Sequence, residues 1–289
     1  MAAAVAKLSG ADVGGILAPP ADGRVSRVSP GEARARAAGR ASALELPESI
    51  SACLFDLDGV LTDTARIHAA AWKQVFDDFL RQRAERTGEP FRPFDRTTDY
   101  DEYVDGKPRL DGVRSFLESR GIELPMGSHS DPPETETMYA LGERKNELVL
   151  ELIREQGVRP YEGSVRFVKA AGDHGLRRAV VSASTNCRDV LVAAGIEHLF
   201  EVRIDGVVAE RDGLAGKPAP DTFLAAARAL AVDADHSAVF EDALAGVEAG
   251  RAGGFGWVVG VDRTGQAEAL RRHGADVVVQ DLAELLERP

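Results

Sequence analysis

The sequence predicts an α/β fold: a doubly wound, Rossmann-like parallel sheet with an inserted α-helical cap domain. Short apolar runs alternate with helical segments, and this alternation is typical of parallel strands joined by right-handed crossovers. The interval between the first two runs is too long for one crossover, which predicts the insertion. The runs are residues 52–55, 179–181, 238–240, 257–259 and 277–279.

The first run shows how the strands are recognised. Residues 52–55 are all apolar and lead directly into acidic residues and Gly59, as expected for a buried parallel strand with polar groups at its C-terminal end. Between later runs, residues 221–230 carry an apolar stripe at helical spacing. Ligands of such sheets bind beyond the strand C-termini, so the residues that follow the runs are the candidate functional ones.

The insertion contains its own helices. Apolar residues recur at spacings of three and four from Ile67 to Leu80, which predicts the first helix. We expect a second helix at 111–119 and a third at 139–154. Together they predict a helical layer packed over the sheet.

The first 47 residues differ from the rest of the chain. They contain no aromatic residue, and residues 1–44 carry six basic and three acidic side chains. Such a segment cannot bury enough apolar surface to offset the entropy of ordering. The predicted domains are therefore a disordered tail at 1–47, a core domain at 48–66 and 161–289, and a cap domain at 67–160.

Composition excludes several classes of function. The net charge of −12 over 289 residues argues against a nucleic-acid surface, which needs clustered Lys and Arg. No apolar run is long enough to span a membrane. Two cysteines provide neither a disulfide framework nor a zinc site. We expect a cytoplasmic monomer whose partner is a small molecule.

The acids after the first run are the first candidate for chemistry. Asp56 and Asp58 lie two residues apart, and Gly59 lets the backbone turn sharply after them. One carboxylate can attack phosphorus and hold a cation, while the other transfers protons. Asp and Gly are also common in turns and helix caps, so this segment alone leaves both interpretations open.

Three further segments follow later strands. Glu241 and Asp242 end the strand at 238–240 and provide the oxygen ligands that Mg²⁺ prefers. The hydroxyl and amide residues of 182–186 suit phosphate oxygens, or a helix N-cap. Lys217 lies between Gly216 and two prolines, and a lysine on so stiff a loop fits a phosphate clamp better than solvated surface.

These four segments, in this order, resemble the haloacid dehalogenase superfamily over about residues 50–289. The resemblance implies phosphoryl transfer through an aspartyl-phosphate, with Mg²⁺ as cofactor. The implied roles are Asp56 as nucleophile, Asp58 as general acid/base, Ser182 and Lys217 as phosphoryl ligands, and Asp56, Asp58 (through its backbone carbonyl), Glu241 and Asp242 as metal ligands.

Further motifs are similar to the beta-phosphoglucomutase group of that superfamily. They are residues 58–65 with His68, the cap loop 106–112, and the cap segment 144–146. An arginine in the cap loop can grip a second phosphate bidentately, as a mutase that holds a bisphosphate by both ends requires. The implied phosphate and substrate ligands are Thr64, His68, Arg109, Lys145, Asn146, Ser182, Ala183, Ser184, Asn186 and Lys217.

The resemblance implies interconversion of beta-D-glucose 1-phosphate and glucose 6-phosphate via glucose 1,6-bisphosphate. The alternative is a Mg²⁺-dependent phosphatase acting on a sugar phosphate or similar small phosphomonoester. A catalytically silent interaction module is a third possibility, which the intact acids and lysine disfavour. The stretches 81–103 and 124–136 depart from compact mutases, and both lie in the predicted cap, where sugar specificity is decided.

Overall fold

Six parallel strands form one sheet in the computed structural model, which describes residues 44–286. The strand order is β3-β2-β1-β4-β5-β6, and every neighbouring pair is parallel. The five strands predicted from apolar runs are present, and β3 is an additional, short edge strand with an arginine at its centre. The strands are β1 (Ala52–Phe55), β2 (Arg177–Val181), β3 (Val202–Ile204), β4 (Ser237–Glu241), β5 (Trp257–Val261) and β6 (Val277–Val279).

The described helices lie on both faces of the sheet and above the C-terminal ends of its strands. A π-helical turn, Tyr100–Val104, precedes the second helix. Short 3₁₀ turns are found at Glu197–Leu199, Ala234–His236 and Leu282–Leu285. The α-helices are α1 (Ala65–Thr87), α2 (Arg109–Ser119), α3 (Met138–Gln156), α4 (Glu162–Asp173), α5 (Cys187–Ala193), α6 (Gly206–Asp212), α7 (Asp221–Ala229), α8 (Leu244–Ala252) and α9 (Ala267–His273).

Both faces of the sheet are covered by apolar clusters. Successive side chains of a strand point to opposite faces. In β1, Phe55 therefore packs with Phe167 of α4 in one cluster, while Leu54 packs with Phe223 of α7 in the other. Phe55 also stacks on Phe240 of β4, with ring centroids 4.6 Å apart. This double covering confirms the predicted doubly wound α/β fold.

The packed core begins earlier in the chain than predicted. Leu44 and Leu46 are both buried within the cluster that covers Phe55. The core, predicted to begin at residue 48, therefore extends four residues further toward the N-terminus, because two apolar side chains before Pro47 supply core surface. The rest of the predicted disordered tail, residues 1–43, lies outside the described residues.

Three helices and the segments between them, residues 65–157, have an apolar cluster of their own, and we call this part of the chain the cap. Phe76 lies at its centre, with its ring 4.9 Å from Trp72, 4.1 Å from Phe116 and 5.4 Å from Phe94. The helices at the three predicted places are longer than expected. Because α1 starts at Ala65, the predicted boundary at residue 67 falls within its first turn.

The cap contacts the core at the C-terminal edge of the sheet. Pro108 packs so closely on Gly216 that a Cβ at Gly216 would lie 2.0 Å from the Pro108 ring. Between cap and core lies a cavity of about 460 Å³, lined by residues of both parts. The candidate site is therefore where the open edge of a parallel sheet places ligands.

Two predictions about protein class can be compared with this fold. None of the helices in residues 44–286 is both long and apolar enough to cross a membrane. Cys53 and Cys187 are both buried and unpaired, and burial raises the pKa of each thiol. Neither thiol is therefore poised for reaction at neutral pH.

Candidate active site

Asp56 is held rigidly at the end of β1. Its backbone N–H donates to the Phe240 carbonyl at 2.9 Å, which extends the pairing of β1 with β4 by one residue. Its side chain is buried and accepts a 2.5 Å hydrogen bond from the Lys217 ammonium. The carboxylate therefore faces the cavity in one fixed orientation.

Lys217 joins the ends of three strands. Besides Asp56, its Nζ donates to Glu241 at 2.5 Å and to the Val181 carbonyl at 3.3 Å. Burial alone would lower the pKa of Lys217, but the carboxylates of Asp56 and Glu241 outweigh burial and raise it above its ordinary value. Lys217 is therefore a permanent positive charge beside the candidate nucleophile.

Three carboxylates form a cluster suited to a cation. Oxygen atoms of Asp56, Glu241 and Asp242 lie within 4.8 Å of one another. Burial raises the pKa of Asp242 well above its ordinary value, and the nearby acids Asp105, Glu241 and Asp56 raise it further. A divalent cation would relieve this repulsion, and hard cations take oxygen ligands of this kind. The residues present therefore fit a divalent metal site.

The raised pKa of Glu241 predicts that the stability of the protein depends on pH. Burial, opposed by the Lys217 ammonium, raises its pKa from 4.5 to about 7. Between these values the folded protein binds more protons than the unfolded chain, so the free energy of unfolding should fall as pH rises from about 4.5 to about 7. Urea denaturation in a metal chelator should show this fall, and saturating Mg²⁺ should reduce it. A metal-free stability that rises over that interval would contradict the assignment.

Asp58 begins a series of polar contacts that reaches α3 of the cap. Its carboxylate accepts from the Thr64 hydroxyl, and His68 Nε2 lies 3.6 Å from Asp58 Oδ1. On the other side of the imidazole ring, Nδ1 is 2.9 Å from the Lys145 ammonium, which also lies 4.8 Å above the Trp72 ring. Asp58 is thus linked to α3 through His68.

This series of contacts contains ionisable groups with perturbed pKa values. Burial raises the pKa of Asp58, against the hydrogen bond from Thr64. Burial also lowers the pKa of Lys145 to about 7, and burial together with Lys145 lowers that of His68 well below its ordinary value. A carboxyl whose pKa is raised toward neutrality is suited to donate a proton as well as accept one.

The loop after β2 presents small polar groups to the cavity. The Ser182 hydroxyl accepts from the Ser184 N–H at 3.1 Å, and the Ser184 hydroxyl accepts from the Asn186 N–H at 3.1 Å. Both hydroxyl protons are left to donate to a ligand. Asn186 Nδ2 also donates to Asn146 Oδ1 on α3 at 2.9 Å. With Ala183, these residues line the cavity.

Arg109 lies at the cap end of the cavity. It is the first residue of α2, and its guanidinium donates to the Glu143 carboxylate of α3 at 2.7 Å. The side chain is 23% exposed, so it can reach a bound ligand. The cavity thus has Lys217 at its core end and Arg109 at its cap end.

Some residues of the cavity were not predicted from the sequence. Asp105 is buried and lines it, and burial followed by the nearby Glu241 raises its pKa well above its ordinary value. It directly precedes the motif at 106–112, whose last four residues form the start of α2. His129 and Tyr139 also line the cavity, and no periodicity or motif in the sequence indicates this for either residue.

Gly59→Ala should disrupt the acidic cluster. Gly59 has φ of 91°, and a Cβ there would lie 1.7 Å from Asp242 Oδ2. We therefore expect divalent-metal affinity to fall by about tenfold or more, together with about 1–3 kcal/mol of backbone strain. Calorimetric titration with Mg²⁺ would measure this loss. Gly265→Ala is a matched control, because Gly265 also has positive φ but open space around it; equal losses of metal affinity in both variants would contradict the steric explanation.

Comparison with known proteins adds an independent finding. The haloacid dehalogenase-like hydrolase family matches residues 50–254. The chain is 58% identical over 250 residues to a beta-phosphoglucomutase of Mycobacterium tuberculosis, covering 86% of this chain and 95% of the relative. It is 31% identical over 239 residues to a beta-phosphoglucomutase of Bacillus subtilis, covering 82% and 92%.

Solved structures give the same likeness. A beta-phosphoglucomutase from Clostridium difficile superposes with a TM-score of 0.61 at 28% identity, covering 82% of this chain and 93% of that one. The superposition spans both the sheet and the cap.

Proposed function

Because the chain belongs to the haloacid dehalogenase-like hydrolase family, we propose that it interconverts beta-D-glucose 1-phosphate and glucose 6-phosphate. Transfer proceeds through an aspartyl-phosphate at Asp56 and the intermediate glucose 1,6-bisphosphate. One observation carries the proposal: a single cavity has Lys217 beside the nucleophile at its core end and Arg109 at its cap end. A bisphosphate needs a cation at each end.

In the first half-reaction, an oxygen of Asp56 attacks one phosphorus of bound glucose 1,6-bisphosphate, which forms the aspartyl-phosphate and releases a glucose monophosphate. Lys217 offsets the negative charge of the attacking carboxylate and the phosphoryl oxygens, while the Ser182 hydroxyl donates to one of those oxygens. Asp58 protonates the leaving sugar oxygen as general acid. In the reverse direction it takes the proton from the attacking hydroxyl.

We propose Mg²⁺ as the cation of the acidic cluster, held by Asp56, Asp242 and the Asp58 backbone carbonyl. Both oxygens of Glu241 already accept hydrogen bonds, from Lys217 and from the Ala243 N–H. Glu241 would therefore contact the metal ion through a water molecule, or would serve to position Lys217. When bound, the ion supplies positive charge that stabilises the transferring phosphoryl group.

In the second half-reaction, the free hydroxyl of a bound glucose monophosphate, and not water, attacks the aspartyl-phosphate. This restores glucose 1,6-bisphosphate and the free Asp56 carboxylate. Arg109 holds the distal phosphate, Lys145 and Asn146 approach the sugar from α3, and Thr64 and His68 orient Asp58. Packing of the cap on the core, as between Pro108 and Gly216, excludes water from the aspartyl-phosphate, which favours transfer over hydrolysis.

A Mg²⁺-dependent phosphatase of sugar phosphates shares the first half-reaction and is the second candidate. The pairing of Arg109 with Glu143 favours it, since a paired arginine offers less charge to a second phosphate. One assay separates the two functions: beta-glucose 1-phosphate is supplied with Mg²⁺ and a trace of glucose 1,6-bisphosphate. We expect glucose 6-phosphate; stoichiometric inorganic phosphate without glucose 6-phosphate would refute the mutase proposal.

Arg109→Ala should impair the mutase strongly. Loss of a charged, bidentate phosphate contact should lower kcat/KM for beta-glucose 1-phosphate by about 10²-fold, as expected for the removal of charge-assisted hydrogen bonds. Steady-state kinetics would measure the loss. Arg86→Ala is the matched control, since Arg86 is also a cap arginine paired with a glutamate, Glu136, but lies on the exposed surface. An unchanged kcat/KM in the Arg109 variant would contradict the proposal that Arg109 binds a second phosphate.

A further inference from the structure

A carboxylate lies beside two basic side chains that line the cavity at its cap end. Glu143 Oε1 accepts from Arg109 Nη2 at 2.7 Å and lies 3.8 Å from His129 Nδ1. The His129 ring packs edge-on against Tyr139, with centroids 4.4 Å apart. Three of these side chains, those of Arg109, His129 and Tyr139, line the cavity itself.

The loop that carries His129 is fastened to the start of α3. Asp131 accepts hydrogen bonds from the Ser128 N–H at 3.0 Å and from the Thr137 hydroxyl at 2.8 Å. Thr137 in turn caps α3 by accepting from the Ala140 N–H at 3.2 Å. The loop is thus tied on both sides of His129, which holds the backbone of His129 near α3, while its side chain is 64% exposed.

The ion pair between Arg109 and Glu143 is weak enough for a phosphate group to displace Glu143. Its side chains are 23% and 36% exposed, and partly solvated ion pairs contribute little net free energy. A phosphate dianion carries more charge than a carboxylate and can bind a guanidinium bidentately. It should therefore displace Glu143, whereas a neutral sugar hydroxyl or water should not.

We propose that Glu143 is a specificity-determining residue that competes with the distal phosphate of the substrate for Arg109, and that His129 takes over as its partner when phosphate binds. This inference rests on the proposed function, because it assumes a second phosphate at the cap end. Because Glu143 must be displaced, only a ligand with a dianionic group binds Arg109 well. Ligands without a distal phosphate therefore gain little binding affinity from the cap.

The test is direct binding of glucose 1,6-bisphosphate, measured by titration calorimetry with Mg²⁺ present. An Asp56→Asn background prevents phosphoryl transfer during the titration. Glu143→Gln removes the competing charge and should lower the Kd about 2- to 5-fold, the upper part of the range set by partly exposed ion pairs. This effect should disappear in an Arg109→Ala background. His129→Ala should raise the Kd about 2- to 5-fold while Glu143 is present, and should have no effect when combined with Glu143→Gln.

Each outcome supports or overturns the inference. An unchanged Kd in His129→Ala overturns the role of His129, and a Glu143→Gln effect that persists in the Arg109→Ala background overturns the competition for Arg109. A Kd that is unchanged or raised by Glu143→Gln overturns it, since Glu143 would then be neutral or would orient Arg109 for the ligand. Thermal unfolding of each variant separates a binding effect from a folding defect. Glu143→Ala is a second variant that removes the same carboxylate. Absence of bisphosphate binding before any change at Glu143 would overturn the proposed function as well, whereas binding that ignores Glu143 would overturn this inference alone.

Discussion

Asp56→Asn should abolish phosphoryl transfer, with a loss in kcat of about 10⁴-fold or more, as is usual when a nucleophile is removed. An amide oxygen is a poor nucleophile and cannot form the acyl-phosphate. The change also removes the negative charge that Lys217 contacts at 2.5 Å. Turnover assays would measure the loss, and mass spectrometry after reaction with glucose 1,6-bisphosphate would detect the phosphorylated aspartate in the unsubstituted protein only.

Asp173→Asn is the matched control for this experiment. Asp173 is an exposed aspartate at the end of α4, on the core and remote from the cavity residues. It should retain full activity and phosphorylation. Measurable phosphoryl transfer by the Asp56→Asn protein would show that another group is the nucleophile, and it would reopen the possibility of a silent site on this fold.

Lys217→Met should damage both activity and stability. It removes the buried ammonium between Asp56 and Glu241 and leaves two carboxylates facing each other without a cation. Breaking a buried ion pair in this way costs about 3–5 kcal/mol, and loss of the phosphate clamp should lower kcat/KM by about 10³-fold, similar to the removal of one donor to a developing oxyanion. Urea denaturation and steady-state kinetics would measure the two effects.

The pH dependence of the stability loss is a second measurement that tests the Lys217 variant. Its instability relative to the unsubstituted protein should be largest at neutral pH and should shrink on acidification, because protonated carboxyls no longer repel. Lys169→Met, on the exposed surface of α4, is the control and should change neither property. A Lys217→Met protein as stable as the control at neutral pH would contradict the central role of this ammonium.

Much of the fold and of the core half of the site was predictable from the sequence. Apolar runs are sufficient to identify strands buried on both faces, so the α/β class and five of the six strands are confirmed. β3 was missed because Arg203 interrupts a run of only three residues. Leu44 was missed because an isolated leucine in a polar segment has no periodicity that would mark it as core.

The sequence by itself also determined which groups meet around Asp56. Parallel strands end at one edge of a sheet, so residues that directly follow β1, β2 and β4 must approach each other, and Lys217 is carried there by a stiff loop. This is why Asp56, Lys217 and Glu241 were predicted together and lie within hydrogen-bonding distance.

Only the tertiary structure decided the cap half of the cavity. The placement of Asp105, His129 and Glu143 depends on how helices with separate apolar stripes pack on one another, and on loops whose course follows from hydrogen bonds between distant residues. The sequence predicted Arg109 as a phosphate ligand, but no local pattern could reveal that Glu143 lies against it. Strand ends are set by sheet geometry, whereas contacts between cap helices are set by side-chain packing.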